Sequence, residues 1–279
     1  MLGMDDTKIP PIPTVMHKVL LFDPNRPDAG SDELESLISA DKGICSKLLK
    51  TSNSAFYGRS GKIKTLRDAI TLLGLKNAKN LILMMSMKDL TISLKGDTFA
   101  RYMHEFPVLT ALVAFDLCKP AKLLAIREEV FLSGLLLKVG MAVFGYNQIR
   151  HYEQLLERSE QEGTDILELE RQVYKIDHIE IGKRLFETWS MPDYLQDVMA
   201  GQQFTTSEID AAGDILRITI LASVITKNFL KIFTPVTEKE IAFLVFEHYE
   251  MDDSKAAFYD WAYYDLLKSH PFYQLAVAG

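Results

Sequence analysis

Apolar residues return at every third or fourth position along nearly the whole chain, and that spacing suits amphipathic helices. Leu34, Leu37, Ile38, Ile44, Leu48 and Leu49 form one such series, and Leu66, Ile70 and Leu73 another. Glycine and proline fall between the periodic runs and seldom inside them, which marks breaks between helices. No stretch alternates apolar and polar residues as a half-buried strand would, and no segment repeats at a fixed period. The chain is therefore expected to be all-α. Its apolar stripes would be buried against one another in a multi-helix bundle.

Local signals place several helix ends. Ser31-Asp32 is a plausible start for the run through Ile38, and Asp41 should divide that helix from the next. Thr164-Asp165 should open another, and Asp177 should cap the helix beginning at His178. Pro107 should bend its helix or mark a first turn. Residues 125–146, "AIREEVFLSGLLLKVGMAVFGY", read as one long helix, and Lys138 stands in its apolar middle. An ammonium there needs a partner or loses its proton.

With 279 residues, of which 48% are hydrophobic and 25% charged, the chain is long enough for a sizeable core. No uninterrupted apolar run approaches the roughly 18 residues needed to cross a bilayer. The opening "MLGMDDTKIPPIP" lacks the basic stretch and apolar core of a secretory signal. Cys45 and Cys118 are the only cysteines, which fits reduced thiols and a cytoplasmic location. A net charge of −7 argues against general nucleic-acid binding, yet Lys42–Lys79 holds nine basic residues and one acid, Asp68. Those lysines either solvate helix faces or form an anion- or partner-binding surface, with Lys47, Lys50, Arg59, Lys62 and Lys64 its candidates.

Two stretches carry a resemblance. The first begins at Ile9 and includes "SNSAFYG" at Ser52–Gly58 and "DAITLLG" at Asp68–Gly74. The second runs from His104 through "GLLLKVG" at Gly134–Gly140 to "IDHIEIGKRLFETWSMPDYL" at Ile176–Leu195. Together they resemble the HDOD family, bacterial output domains related to HD-type metal-dependent phosphohydrolases. The resemblance covers roughly Ile9 to Thr226. It implies an N-terminal helical part over 1–96, a degenerate HD-like helical part over 97–226, and a C-terminal helical extension over 227–279 packed on it.

In the hydrolases the segment matching "GLLLKVG" reads Gly-Leu-Leu-His-Asp-Ile-Gly, and its His-Asp pair binds a divalent metal. This chain has Leu137 and Lys138 there. His104 matches the family's first histidine, a later His-His pair falls at Gln202 and Gln203, and a late aspartate falls near Ser223. Leucine has no lone pair, and a protonated lysine repels a cation. The resemblance thus implies a vestigial pocket around His104, Lys138, Asp177 and His178, with no cofactor, no metal and no catalytic residue. Lys138 would stand in for the ion, paired with an acid such as Asp177 or Asp214. The residues themselves read more plainly: Asp177 as a cap, His178 in a first turn, His104 as a hydrogen-bonded boundary histidine.

The expected function is a non-catalytic signal-transduction module that binds a protein partner or a small regulatory ligand. The alternative is a residual phosphohydrolase acting on a nucleotide or cyclic dinucleotide. The aromatic tail around Phe258, Trp261, Tyr264 and Asp265 reads either as a helix closing the core or as a partner-binding or dimer face.

Overall fold

In the computed structural model, which describes residues 10–57, 62–91 and 94–277, every regular element is a helix. The all-α expectation therefore holds for the described residues. The chain divides into two compact units, one of Met1–Pro10 and Ser93–Lys268, the other of Pro11–Ile92 and Ser269–Gly279.

The smaller unit contains α1 (Thr14–Leu21), α2 (Ser31–Ile38), α3 (Lys42–Ser52), α4 (Leu66–Leu73) and α5 (Leu75–Thr91). The break at Asp41 is where the sequence places it. The Asp41 carboxylate accepts the Ile44 N–H at 2.9 Å, satisfying one of the free donors at the start of α3. Thr65 does the same for α4, accepting from Asp68 N at 3.0 Å. Gly74, with φ +78°, ends α4 in the left-handed region that favours glycine. Leu34, Ile38, Ile44, Leu48, Ile70 and Leu73 are all buried, as their spacing requires.

The larger unit begins with α6 (Asp97–Ala100), a π turn (Arg101–Glu105) and α7 (Phe106–Leu117). Pro107 follows the π turn directly, where the backbone stays helical and the regular ladder is already interrupted. There follow α8 (Arg127–Leu136), α9 (Val139–Glu162), α10 (Ile166–Tyr174), α11 (His178–Thr188), α12 (Asp193–Gly201) and α13 (Thr206–Ile209). Next come α14 (Asp214–Leu230), α15 (Val236–His248), α16 (Asp252–Phe258) and α17 (Trp261–Ser269). The short helix α18 (Pro271–Val277) packs on α5, and Lys88 Nζ donates to the Leu275 carbonyl at 2.8 Å.

Three expectations need correction. Residues 125–146 are not one helix: α8 stops at Leu136 and α9 starts at Val139, with Lys138 at φ −110°, ψ 18° between them. A boundary at 227 would cut through α14, which is continuous from Asp214 to Leu230. The last residues do not all belong to one extension, because 236–268 pack in the larger unit and α18 in the smaller. The helical run Leu124–Glu162 is long and apolar enough to cross a membrane by composition, but 89% of its most apolar window is buried inside the fold.

Candidate functional site

The break between α8 and α9 turns Lys138 into the interior of the larger unit, where only 7% of the residue is exposed. Its Nζ lies 3.0 Å from His178 Nε2 and donates to Gln202 Oε1 at 2.9 Å. Gln202, at the C-cap of α12, is held by its own amide, which donates to the Leu137 carbonyl at 3.1 Å and the Met199 carbonyl at 3.3 Å. His178 opens α11 and is completely buried. Its Nδ1 lies 2.8 Å from Glu170 Oε2, and its backbone N–H donates to the same oxygen at 2.8 Å. Tyr152 of α9 donates its hydroxyl to Glu170 Oε1.

The result is one buried chain: Lys138, His178, Glu170, Tyr152. The tautomer follows from the network. With Nδ1–H donating to Glu170, the Nε2 lone pair is left to accept from Lys138. Burial holds His178 well below its usual pKa, and the Lys138 charge acts the same way, so the imidazole is neutral.

Burial takes the Lys138 ammonium down to about 8 from 10.5, with the Lys227 charge adding to the effect. Burial pushes the Glu170 carboxyl up to about 8 from 4.5, against the hydrogen bonds from Tyr152 and His178. The signs differ. Glu170 is raised, so its contribution to stability is full below about 4.5 and lost as pH rises through about 8. Lys138 is lowered, so its contribution is full above about 10.5 and lost as pH falls through about 8. The site's contribution should therefore reach a trough near pH 8. Urea unfolding of the wild type and of the Lys138→Met/Glu170→Leu double variant, compared across pH, tests this. A difference that stays flat through pH 8 would remove the assignment.

On its other side Lys138 borders a cavity of about 30 Å³, room for little more than a water. Gln202, Ser223, Lys227, Glu238 and Asp165 also line it. Lys227 donates to both Glu238 oxygens at 2.7 and 2.6 Å. Lys138, Gln202 and Ser223, three positions where the resemblance puts metal ligands, thus meet at one cavity. Their chemistry does not fit a divalent ion. Such an ion needs several anionic oxygens or neutral imidazoles within about 2–2.5 Å. Here Leu137 offers hydrocarbon, Lys138 a cation and Ser223 a neutral hydroxyl, while the Gln202 carbonyl and the His178 Nε2 lone pair are both engaged by Lys138. Among the described residues no three His, Cys, Asp or Glu side chains gather as a metal site.

The remaining candidates are distributed as follows. Asp177 caps α11, accepting from Ile179 N at 3.0 Å and Glu180 N at 2.9 Å, and it pairs with Arg171 at 2.6 Å. It is therefore not the partner of Lys138. Neither is Asp214, which accepts from Tyr249 and lies 3.5 Å from Arg217. The carboxyl that Lys138 reaches, through His178, is Glu170. Gln203 is exposed and donates to Asp177 at 3.4 Å. His104 is half-buried in the π turn, between Tyr102 and Phe106, which both line the cavity. Of the basic candidates, Lys47 pairs with Asp89 at 2.7 Å, Lys50, Lys62 and Lys64 have no acidic partner among the described residues, and Arg59 lies outside those residues. In the tail, Tyr264 stacks on Phe229 with centroids 4.9 Å apart, and Trp261 remains 53% exposed.

These features define an all-helical domain whose larger unit buries a lysine, a histidine, a glutamate and a tyrosine in one hydrogen-bonded chain. The HDOD domain model matches residues 9–204, and the chain belongs to the HDOD domain family. An HDOD domain protein of unknown function from Geobacter sulfurreducens superposes with a TM-score of 0.69 at 18% identity, covering 94% of this chain and 93% of that one. A candidate phosphohydrolase from Shewanella amazonensis SB2B gives 0.68 at 18% identity, covering 96% and 93%. A candidate signal transduction protein from Marinobacter aquaeolei VT8 gives 0.69 at 18% identity over 99% of this chain, which spans 61% of that protein. An uncharacterized protein of Treponema pallidum (strain Nichols) is 24% identical over 185 residues, which make up 66% of this chain and 36% of the relative. The chain thus spans about a third of that relative's length.

Proposed function

We propose that this chain is a non-catalytic signal-transduction module, whose buried Lys138–His178–Glu170–Tyr152 chain occupies the place of a metal centre and holds the pocket in one shape. The observation that carries this reading is the Lys138 ammonium itself. It sits at a ligand position and engages the two nearest groups that could have bound an ion, His178 Nε2 and Gln202 Oε1. A cation is already in the seat, and the cavity beside it, about 30 Å³, is too small for a nucleotide. The module would then act by binding, in the cytoplasm, to a protein partner or a small regulatory ligand received elsewhere on its surface.

The competing reading is a residual phosphohydrolase, which needs metal-activated water. One experiment separates the two. The purified chain is expected to carry Mn and Fe far below one ion per molecule, and to leave bis(p-nitrophenyl) phosphate and cyclic dinucleotides intact with Mn²⁺ or Fe²⁺ supplied. Stoichiometric metal together with turnover that a chelator abolishes would overturn the proposal.

A further inference from the structure

We propose that the C-terminal end of α3, with the turn that follows it, is a docking surface for an acidic peptide segment bearing an apolar side chain. Asn53 builds the surface. Its amide nitrogen donates to the Leu49 carbonyl at 3.0 Å and the Ile63 carbonyl at 2.8 Å, and its oxygen accepts the Ile63 N–H at 3.0 Å. That clamp fixes Ile63 against the end of α3, and with it the flanking Lys62 and Lys64. Lys50 stands in the last turn of the same helix. Three cations are thereby brought to the C-terminal end of a helix, a place that favours positive charge.

Phe56 follows Asn53 by three residues. It belongs to a short 3₁₀ turn, Ala55–Tyr57, and is 59% exposed. Single exposed apolar residues are ordinary, but this ring is held. Its centroid lies 5.1 Å from that of Tyr57 and 5.4 Å from that of His270, in edge-to-face geometry. Burial keeps His270 at about 4, so it adds no charge at neutral pH. An oriented, exposed ring in the turn next to the Asn53 clamp suits a ligand that brings carboxylates and one apolar group.

The unit's acids are largely committed elsewhere. Asp28 and Glu33 pair with Arg26, Asp32 and Glu35 with Arg67, and Asp89 with Lys47. Asp41 caps α3 and Asp23 accepts from Asn25 N. No acid among the described residues pairs with Lys50, Lys62 or Lys64. Pro11–Ile92 with Ser269–Gly279 hold twelve Lys and Arg against eight Asp and Glu, a net of +4, which leaves −11 for the rest of a chain of net −7. A long polyanion would meet repulsion from that remainder, whereas a short acidic segment need not. The described arginines here, Arg26 and Arg67, are engaged by carboxylates, whereas Lys50, Lys62 and Lys64 are not. Lysines serve carboxylates as point charges, while bidentate phosphate recognition favours arginine.

This deepens the proposed binding role and rests on it, and the metal and hydrolysis assays succeed or fail independently of the following titration. The full chain is titrated by fluorescence anisotropy with a peptide of Asp and Glu around one Phe, the same peptide with Ser for Phe, a single-stranded oligonucleotide, and vesicles of anionic phospholipid. The Phe peptide is expected to bind most tightly and to weaken as salt rises. Lys50→Glu/Lys62→Glu/Lys64→Glu should lose roughly tenfold or more in affinity while keeping the wild-type circular dichroism. Phe56→Ser should weaken the Phe peptide and leave the Ser peptide unchanged. Equal binding by the triple variant, tighter binding of oligonucleotide or vesicle, or no binding of the Phe peptide would each overturn the proposal.

Discussion

Glu170→Ala is expected to lower the free energy of unfolding by about 3–5 kcal/mol, the range seen when one partner of a buried ion pair or network is removed. The reason is what it leaves behind. Three donors converge on that carboxyl: the Tyr152 hydroxyl, the His178 backbone N–H and His178 Nδ1–H. Glu170 and His178 are both 0% exposed, so bulk solvent does not reach the donors that the lost acceptor leaves behind. Each stranded donor costs about 1–3 kcal/mol. His178 then loses its fixed tautomer, and Lys138 loses the lone pair that receives it. Glu170→Gln keeps one acceptor oxygen and nearly the same volume, so it should cost distinctly less. Urea unfolding of both variants at neutral pH gives the comparison. Equal losses for Ala and Gln would mean that the retained oxygen and volume contribute nothing, and that the second carboxyl oxygen sets the cost.

Parts of this arrangement are legible in the sequence, and the failures have physical causes. The division at Asp41 and the cap at Asp177 were readable because capping is local: a short carboxylate meets an N–H two or three residues on. The break at Lys138 was not, because the apolar pattern runs through it without interruption and no glycine or proline stands at the break itself. Lys138 is anomalous in the sequence, because an ammonium in an apolar run needs a buried partner. Asp177 and Asp214 were nevertheless the wrong acids, one being occupied by Arg171 and the other being exposed. Glu170 is hard to read inside "ILELERQVY", where a glutamate passes for a solvent-facing residue. A signal was present. Ile166, Leu169 and Tyr174 form the buried stripe of α10, and Glu170 occupies the stripe position between Leu169 and Tyr174. An acid at an apolar position of a helix, eight residues before a histidine, is what the reading needed. Lys227 and Glu238 escaped notice for the same reason, since their pairing at 2.6 Å joins two helices and leaves no local trace.

Gly140→Ala should be the more damaging substitution, with a loss of about 4 kcal/mol or more, or no folded protein at all. Gly140 closes "GLLLKVG" in the first turn of α9 and sits where α9 crosses α11. A methyl group there would overlap the His178 carbonyl oxygen, and would stand 2.8 Å from that carbonyl carbon and 2.9 Å from Gly182 N. These are backbone atoms of a packed helix, so no side-chain rotation relieves them. α9 and α11 must separate, and the residue they displace is His178, whose Nε2 lies 3.0 Å from Lys138. The same glycine that permits the close crossing therefore also sets the length of the Lys138–His178 contact. Gly213→Ala provides the control. Nothing lies within 4 Å of the added methyl there and the backbone angle suits any residue, so its effect should stay within about 1 kcal/mol, the cost of Ala at the N-cap of α14. Soluble yield and urea midpoints for the two variants decide the matter: a Gly140→Ala protein as stable as Gly213→Ala would show that the two helices can part without cost, and the rigid crossing on which the buried chain depends would have to be abandoned.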